Sequence, residues 1–212
     1  MTPKLYLTTL VLTLLLVSCN DKKEITAGKP VVEQETEAQF DEQTALKYLK
    51  TMRENVQADS TKLLTIKDWP AHATLTNTVE ELPNKPISKH AAIAITMREQ
   101  LDDFKNTIPA YLQIDDIQDA IEDLEKATKI FETQLPKNHV NPKDKHQHVL
   151  NLYMALQDVN SKILQTYQFY AADSSPDVTT YLTELNDFNV HKTTAQELRA
   201  AALESQVREN AN

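Results

Sequence analysis

Residues 149–170 read VLNLYMALQDVNSKILQTYQFY. Val149, Tyr153, Leu156, Ile163, Tyr167 and Tyr170 recur at steps of four and three, and Asn160 fills the one remaining seam position. That spacing is the period of an amphipathic α-helix. It predicts a helix that starts near Asn141-Pro142 or a few residues on. A one-sided apolar stripe must be buried against another element, so this helix needs partners of its own kind.

The partners lie on both sides in sequence. Upstream, Asp115 or Asp116 opens a helix carrying Ile117, Ile121, Leu124, Phe131 and Leu135, ended by Pro136. Before it, Ile93, Met97, Leu101 and Phe104 share a face after Ser88 as a predicted N-cap, and the helix stops before Pro109. Ala45, Tyr48, Leu49, Met52 and Val56 mark another over about 41–56. Downstream, Ser175-Pro176 reads as a cap followed by proline at the first helical position, leading into Val178, Tyr181, Leu182, Leu185 and Phe188. Thr194, with Glu197 closing a capping box, predicts one more short helix through Leu198, Ala202 and Val207. Short connections at 109–114 and 171–175 favour antiparallel neighbours. The expected fold is all-α: an up-and-down bundle of four main helices plus one or two shorter C-terminal helices. Residues 59–87, with Pro70, Pro83 and Pro86, show no sustained period and are expected to be irregular, with Leu75, Asn77 and Val79 alternating like a brief strand and 62–69 reading as a helical turn or two.

Composition narrows function by exclusion. The chain has a single glycine, Gly28. This excludes a glycine-rich phosphate loop, a dinucleotide fingerprint and a nucleophile elbow, and argues against a turn-rich β fold. The net charge is −9, which repels phosphate backbones, so no nucleic-acid partner is expected.

The first residues carry an address. Lys4 and the amino terminus precede a 13-residue apolar run, Leu5–Val17, too short for a transmembrane helix of about 20 residues. The run ends Leu16-Val17-Ser18-Cys19. These four residues resemble the lipobox of bacterial lipoproteins: an aliphatic residue, a tolerant position, a small residue and cysteine. The resemblance covers residues 1–20 and implies a signal peptide over 1–18 and acylation of Cys19, with palmitate-type chains holding the protein to a membrane of the bacterial cell envelope, the outer membrane being favoured. Several acyl chains anchor durably where one does not. Cys19 is also the sole cysteine, so after acylation neither disulfide nor thiol chemistry remains. Residues 19–39 read as a polar lipidated tether reaching on the order of 25 Å, and 40–212 as the helical domain outside the cytoplasm.

Candidate site residues are few. Trp69, the sole tryptophan, with His72 in the irregular segment, is read either as a binding anchor or as a pin holding a loop to the bundle, and the pin is the better account. Asp115, Asp116, Asp119, Glu122, Asp123 and Glu125 read as a solvated face with Glu122–Lys126 and Glu125–Lys129 pairs. His139, His146 and His148 lack metal-ligand spacing. Met52 and His191 resemble the axial pair of haem-binding four-helix cytochromes in residue type only, and core packing explains Met52. Tyr153, Tyr167, Tyr170 and Tyr181 are read as core. No catalytic motif is present, so neither enzyme activity nor a cofactor is expected. The expected function is a non-enzymatic module binding another envelope protein, the alternative being a small-ligand, metal or haem binder using the bundle core or the 59–87 loop.

Overall fold

The computed structural model describes residues 39–58, 64–134, 141–173 and 177–210. The expected signal peptide, Cys19 and nearly all of the expected tether lie outside these residues, as do Leu135, Pro136, His139 and the expected Ser175-Pro176 cap. The described residues form α1 (Glu42–Asn55), β1 (Val56–Gln57), β2 (Thr65–Ile66), α2 (Pro70–Glu81), α3 (Ile87–Asn106), α4 (Asp115–Gln134), α5 (Pro142–Thr166) and α6 (Val178–Asn210). Short 3-10 turns at Leu82–Asn84 and Ala110–Leu112 and a π-turn at Tyr167–Ala171 complete the path.

The architecture is all-α, with six helices side by side and one two-residue antiparallel ladder, Val56 opposite Ile66 and Gln57 opposite Thr65. The densest packing joins α4 to α5, followed by α2 with α3 and α3 with α4. Salt bridges fix directions: Arg98–Glu132 and Lys105–Glu125 set α3 antiparallel to α4, and Lys162–Asp116 ties α5 back across α4. By contrast α6 runs parallel to α4, since Tyr181 bonds the Tyr111 carbonyl and His191 bonds Asp115.

Each boundary has a local cause. Asp41 caps α1 by accepting from the Thr44 amide at 2.8 Å, and Asn141 caps α5 by accepting from Lys143 with Pro142 at the first position. Asp177 caps α6 through the Thr180 amide at 3.0 Å and the Thr180 hydroxyl at 2.7 Å. Ser88 is not a cap: α3 starts one residue earlier, after Pro86 in an extended conformation. No described residue has positive φ and no described peptide bond is cis, which matches a chain almost without glycine.

Three expectations are corrected. Residues 70–81 are neither irregular nor a strand: they form α2, with Pro70 at its first turn and Trp69 before it. The stretch 64–69 holds β2 and a turn rather than a helical turn or two. The C-terminus is not one or two shorter helices but a single 33-residue helix, the longest described. Thr194 sits inside it, its hydroxyl donating back to the Val190 carbonyl at 3.0 Å instead of capping.

The core runs through the predicted faces: Ala45, Leu49 and Met52 of α1 with Val56 of β1, Met97, Leu101 and Phe104 of α3, Ile117, Ile121, Leu124 and Phe131 of α4. On α5 the buried line is Val149, Leu152, Leu156, Val159, Asn160 and Ile163, so Tyr153 is displaced outward to 37% exposure while Leu152 takes the seam. The phenol tolerates water where leucine does not. At the far end Arg53 donates to the carbonyls of Ala171 (2.5 Å) and Asp173, clamping the π-turn to the end of α1. That turn rolls Tyr170 inward onto Tyr181, ring centroids 5.3 Å apart.

Trp69 is fully enclosed. Truncating it leaves a large cavity, so Trp69→Ala is expected to cost about 3–5 kcal/mol in urea denaturation. Tyr153→Ala, on the surface, is expected to stay within about 0.5 kcal/mol.

Candidate functional site

Trp69 and His72 lie one helical turn apart across the start of α2, and both face inward. The Trp69 indole stacks on Phe104 (centroids 4.3 Å) and donates from Nε1 to the Phe104 carbonyl at 3.2 Å. His72 is 1% exposed, and its Nε2 lies 2.7 Å from Asn160 Oδ1. With that oxygen accepting, His72 is the neutral Nε2–H tautomer. Burial holds its imidazole below the ordinary range, the Asn160 bond opposing in part. Neither residue is presented to an incoming partner. Together they act as the pin of the two readings, joining α2 to α3 and α5.

The tyrosines also satisfy one another internally. Tyr111 Oη donates to Asp68 Oδ1 at 2.5 Å, Tyr181 Oη to the Tyr111 carbonyl at 2.7 Å, and Tyr170 Oη to Glu184 Oε1 at 2.7 Å. Burial, first, and the neighbouring Asp68 and Glu184 carboxylates push the Tyr111 and Tyr170 phenols up, and burial does the same to Tyr181. These groups stay protonated and act as hydrogen-bond donors at neutral pH.

Other expected clusters do not converge. Met52 is enclosed in the core while the His191 side chain is 69% exposed, so they form no axial pair. His146 is exposed, and His148 Nδ1 is buried without a hydrogen-bond partner. Among the described residues no three of His, Cys, Asp and Glu converge to hold a metal ion.

Between α4 and α6 lies an open cleft of about 580 Å³. Asp115, Asp119 and Glu122 form one wall at steps of four and three along α4, with Gln118 between them. His191, Lys192 and Arg199 form the other wall, with Gln196, and Phe188 and Ala195 are its apolar lining. At one end the walls meet, His191 Nδ1 lying 2.7 Å from Asp115 Oδ2. Beyond it, no hydrogen bond or ion pair among the described residues joins Asp119 or Glu122 to Lys192 or Arg199. Near the start of the described residues, Asn186 Oδ1 of α6 accepts from the Phe40 amide at 2.7 Å.

The α4 carboxylates form the expected solvated face, Asp116, Asp119, Glu122, Asp123 and Glu125 being exposed and Asp115 half-buried, but the expected i,i+4 partners differ. Lys126 pairs with Asp123 (2.8 Å) rather than Glu122, and Glu125 pairs with Lys105 of α3 (2.5 Å) rather than Lys129. The i,i+4,i+7 spacing of Asp115, Asp119 and Glu122 was readable in the sequence. The basic wall was not, because a cap at Thr194 would have separated Arg199 from Lys192.

Because folded His72 binds its proton more weakly than the unfolded imidazole, stability is fully present above about pH 6.5. It is lost as pH falls below that value, where the unfolded chain takes up a proton the folded one resists. His72→Gln, which keeps a donor toward Asn160, is expected to flatten the pH 7 to 5 slope in paired urea titrations. An unchanged slope would show that His72 is not its source.

No family model, no curated protein and no solved structure matches this chain. Its function is therefore argued from the geometry above.

Proposed function

We propose that this chain is a non-enzymatic binding module of the bacterial envelope, tethered to a membrane through acylated Cys19 and engaging another envelope protein through the free length of α6. The observation that carries this reading is the outer face of that helix. Past Asn186, α6 continues for roughly 36 Å at 1.5 Å per residue. Val190 is 55% exposed and Leu198 67% exposed there. Val190, Thr194, Leu198, Ala201 and Ser205 follow at steps of four and three, an uncharged line along the helix.

Such a line, small at Ala201 and Ser205, accepts a partner helix at close approach. Charge favours the same place. Residues 189–212 carry Lys192, Arg199 and Arg208 against Glu197, Glu204 and Glu209, so they are neutral within a chain of net −9. A partner meets no net repulsion at α6, unlike elsewhere on the acidic body. Anchoring rests on the Leu16–Cys19 box, and no helix among the described residues is long and apolar enough to cross a membrane. The second reading, a small-ligand binder, is favoured by the α4–α6 cleft.

Two measurements test this. A photo-cross-linking residue at Leu198, introduced in living cells, is expected to trap one discrete protein adduct that the same residue at exposed Lys50 does not. Identical adduct patterns at both positions would sink the partner assignment. Cys19→Ser is expected to abolish incorporation of an alkyne-labelled palmitate and to move the protein out of the membrane fraction.

A further inference from the structure

The α4–α6 cleft sets opposite charges face to face without letting them touch. Asp119 and Glu122 are held on α4, Lys192 and Arg199 on α6, and among the described residues none of the four reaches the other wall. Opposed charges of this kind attract across the gap. A single molecule bearing a cation at one end and an anion at the other satisfies both walls at once, which a simple anion or cation cannot do.

The remaining lining narrows the class. Gln118 and Gln196 each offer an amide donor and an amide acceptor, the complement of a peptide unit. Phe188 and Ala195 supply apolar surface for a small side chain. The volume of about 580 Å³ falls among pockets that hold small ligands, about 300–1,000 Å³. Its walls are more polar than a lipid or drug-like ligand would require. We infer that the cleft binds short peptides with free termini, the ammonium against Asp119 and Glu122 and the carboxylate against Lys192 and Arg199.

The arrangement gives each wall a separable task. The guanidinium of Arg199 presents a planar fork to a carboxylate, while paired carboxylates accept the three donors of an ammonium. Because the cleft is open to water, its attraction is screened by salt and binding weakens as ionic strength rises. The site lies on the α4 side of α6; Leu198 of the uncharged line, three residues after Ala195 and seven after His191, borders it, so peptide and protein partner are neighbours on one helix.

The test is isothermal titration calorimetry of the mature, detergent-solubilised full chain with L-trialanine, N-acetyl-trialanine and trialanine amide. Saturable binding of trialanine is expected, with each cap weakening it by about tenfold, the worth of one charged hydrogen-bond set. Asp119→Asn with Glu122→Gln is expected to weaken trialanine but leave the N-acetyl peptide unaffected. Lys192→Gln with Arg199→Gln is expected to do the same with respect to the amide. All four residues lie on the rim, and circular dichroism melts check that the variants fold like the parent. No heat with trialanine, or equal binding of capped and free peptides, overturns the inference. A Leu198 adduct without peptide binding removes the cleft proposal alone, and peptide binding without an adduct removes the partner proposal alone.

Discussion

Trp69 is the point at which three helices are held to one another. Its ring lies on Phe104 of α3, its indole N–H ends on the Phe104 carbonyl, and one turn later His72 reaches Asn160 of α5. Stacking and burial supply most of the energy here, since an indole buries some 150–250 Å². The two hydrogen bonds supply geometry. A bundle interior of leucine and isoleucine tolerates sliding and rotation. A buried imidazole that must meet one amide oxygen at 2.7 Å does not, because any other register leaves two polar groups unpaired in an apolar surrounding.

That constraint sets the rest of the arrangement. With α2 fixed across α3 and α5, the chain following Asn106 turns through Pro109 and the Ala110–Leu112 turn into α4, and Tyr111 becomes the platform on which Tyr181 of α6 seats. Asp68, directly before Trp69, takes the Tyr111 hydroxyl. Thus the same six-residue approach to α2 also positions the start of α6. The two-residue ladder between Val56 and Ile66 closes the approach from the other side and buries both partners' side chains.

How much of this could be read in advance depended on whether buried positions were apolar. On α3, α4 and α5 the period of hydrophobic residues is nearly the period of burial, so the bundle was legible. On α2 the buried face is His72, Leu75, Thr76 and Val79, a perfect helical spacing in which two members are polar. Thr74, Thr76 and Thr78 also depress helix propensity, and Pro70 reads as a breaker when it is in fact a first-turn residue. Only the tertiary partner Asn160 explains His72, and in the sequence Asn160 merely fills a seam position of the α5 stripe. Trp69 shows the same principle from the other side: a lone tryptophan near prolines suggests an exposed anchor or a pin, and only its neighbours decide. Of the cleft, the acidic wall was visible and the basic wall hidden, since Thr194-x-x-Glu197 satisfies a capping pattern that the helix simply runs through.

The length of α6 follows from a different balance from that of the inner helices. Its first part is held by burial of Tyr181 and Leu185. From Val190 to Gln206 almost every side chain is exposed, so packing contributes little there. What carries the helix on is composition: TTAQELRAAALESQ at 193–206 contains no glycine or proline and is rich in alanine, leucine, glutamate, glutamine and arginine, the strongest helix formers. Nucleation has already been met by the buried part, and propagation from it adds one backbone bond for each residue fixed. A helix built this way keeps its shape without collapsing onto the body. Apolar contact would close such a gap, but the facing surfaces of α4 and α6 are mostly charged or amide, with Phe188 and Ala195 the apolar lining. Charged side chains give up hydration when they pair, and exposed pairs return at most about 1 kcal/mol each. The walls therefore meet only at His191–Asp115, and a long helix with two chemically distinct sides is left on the surface: one uncharged, one facing a cleft of opposed charge.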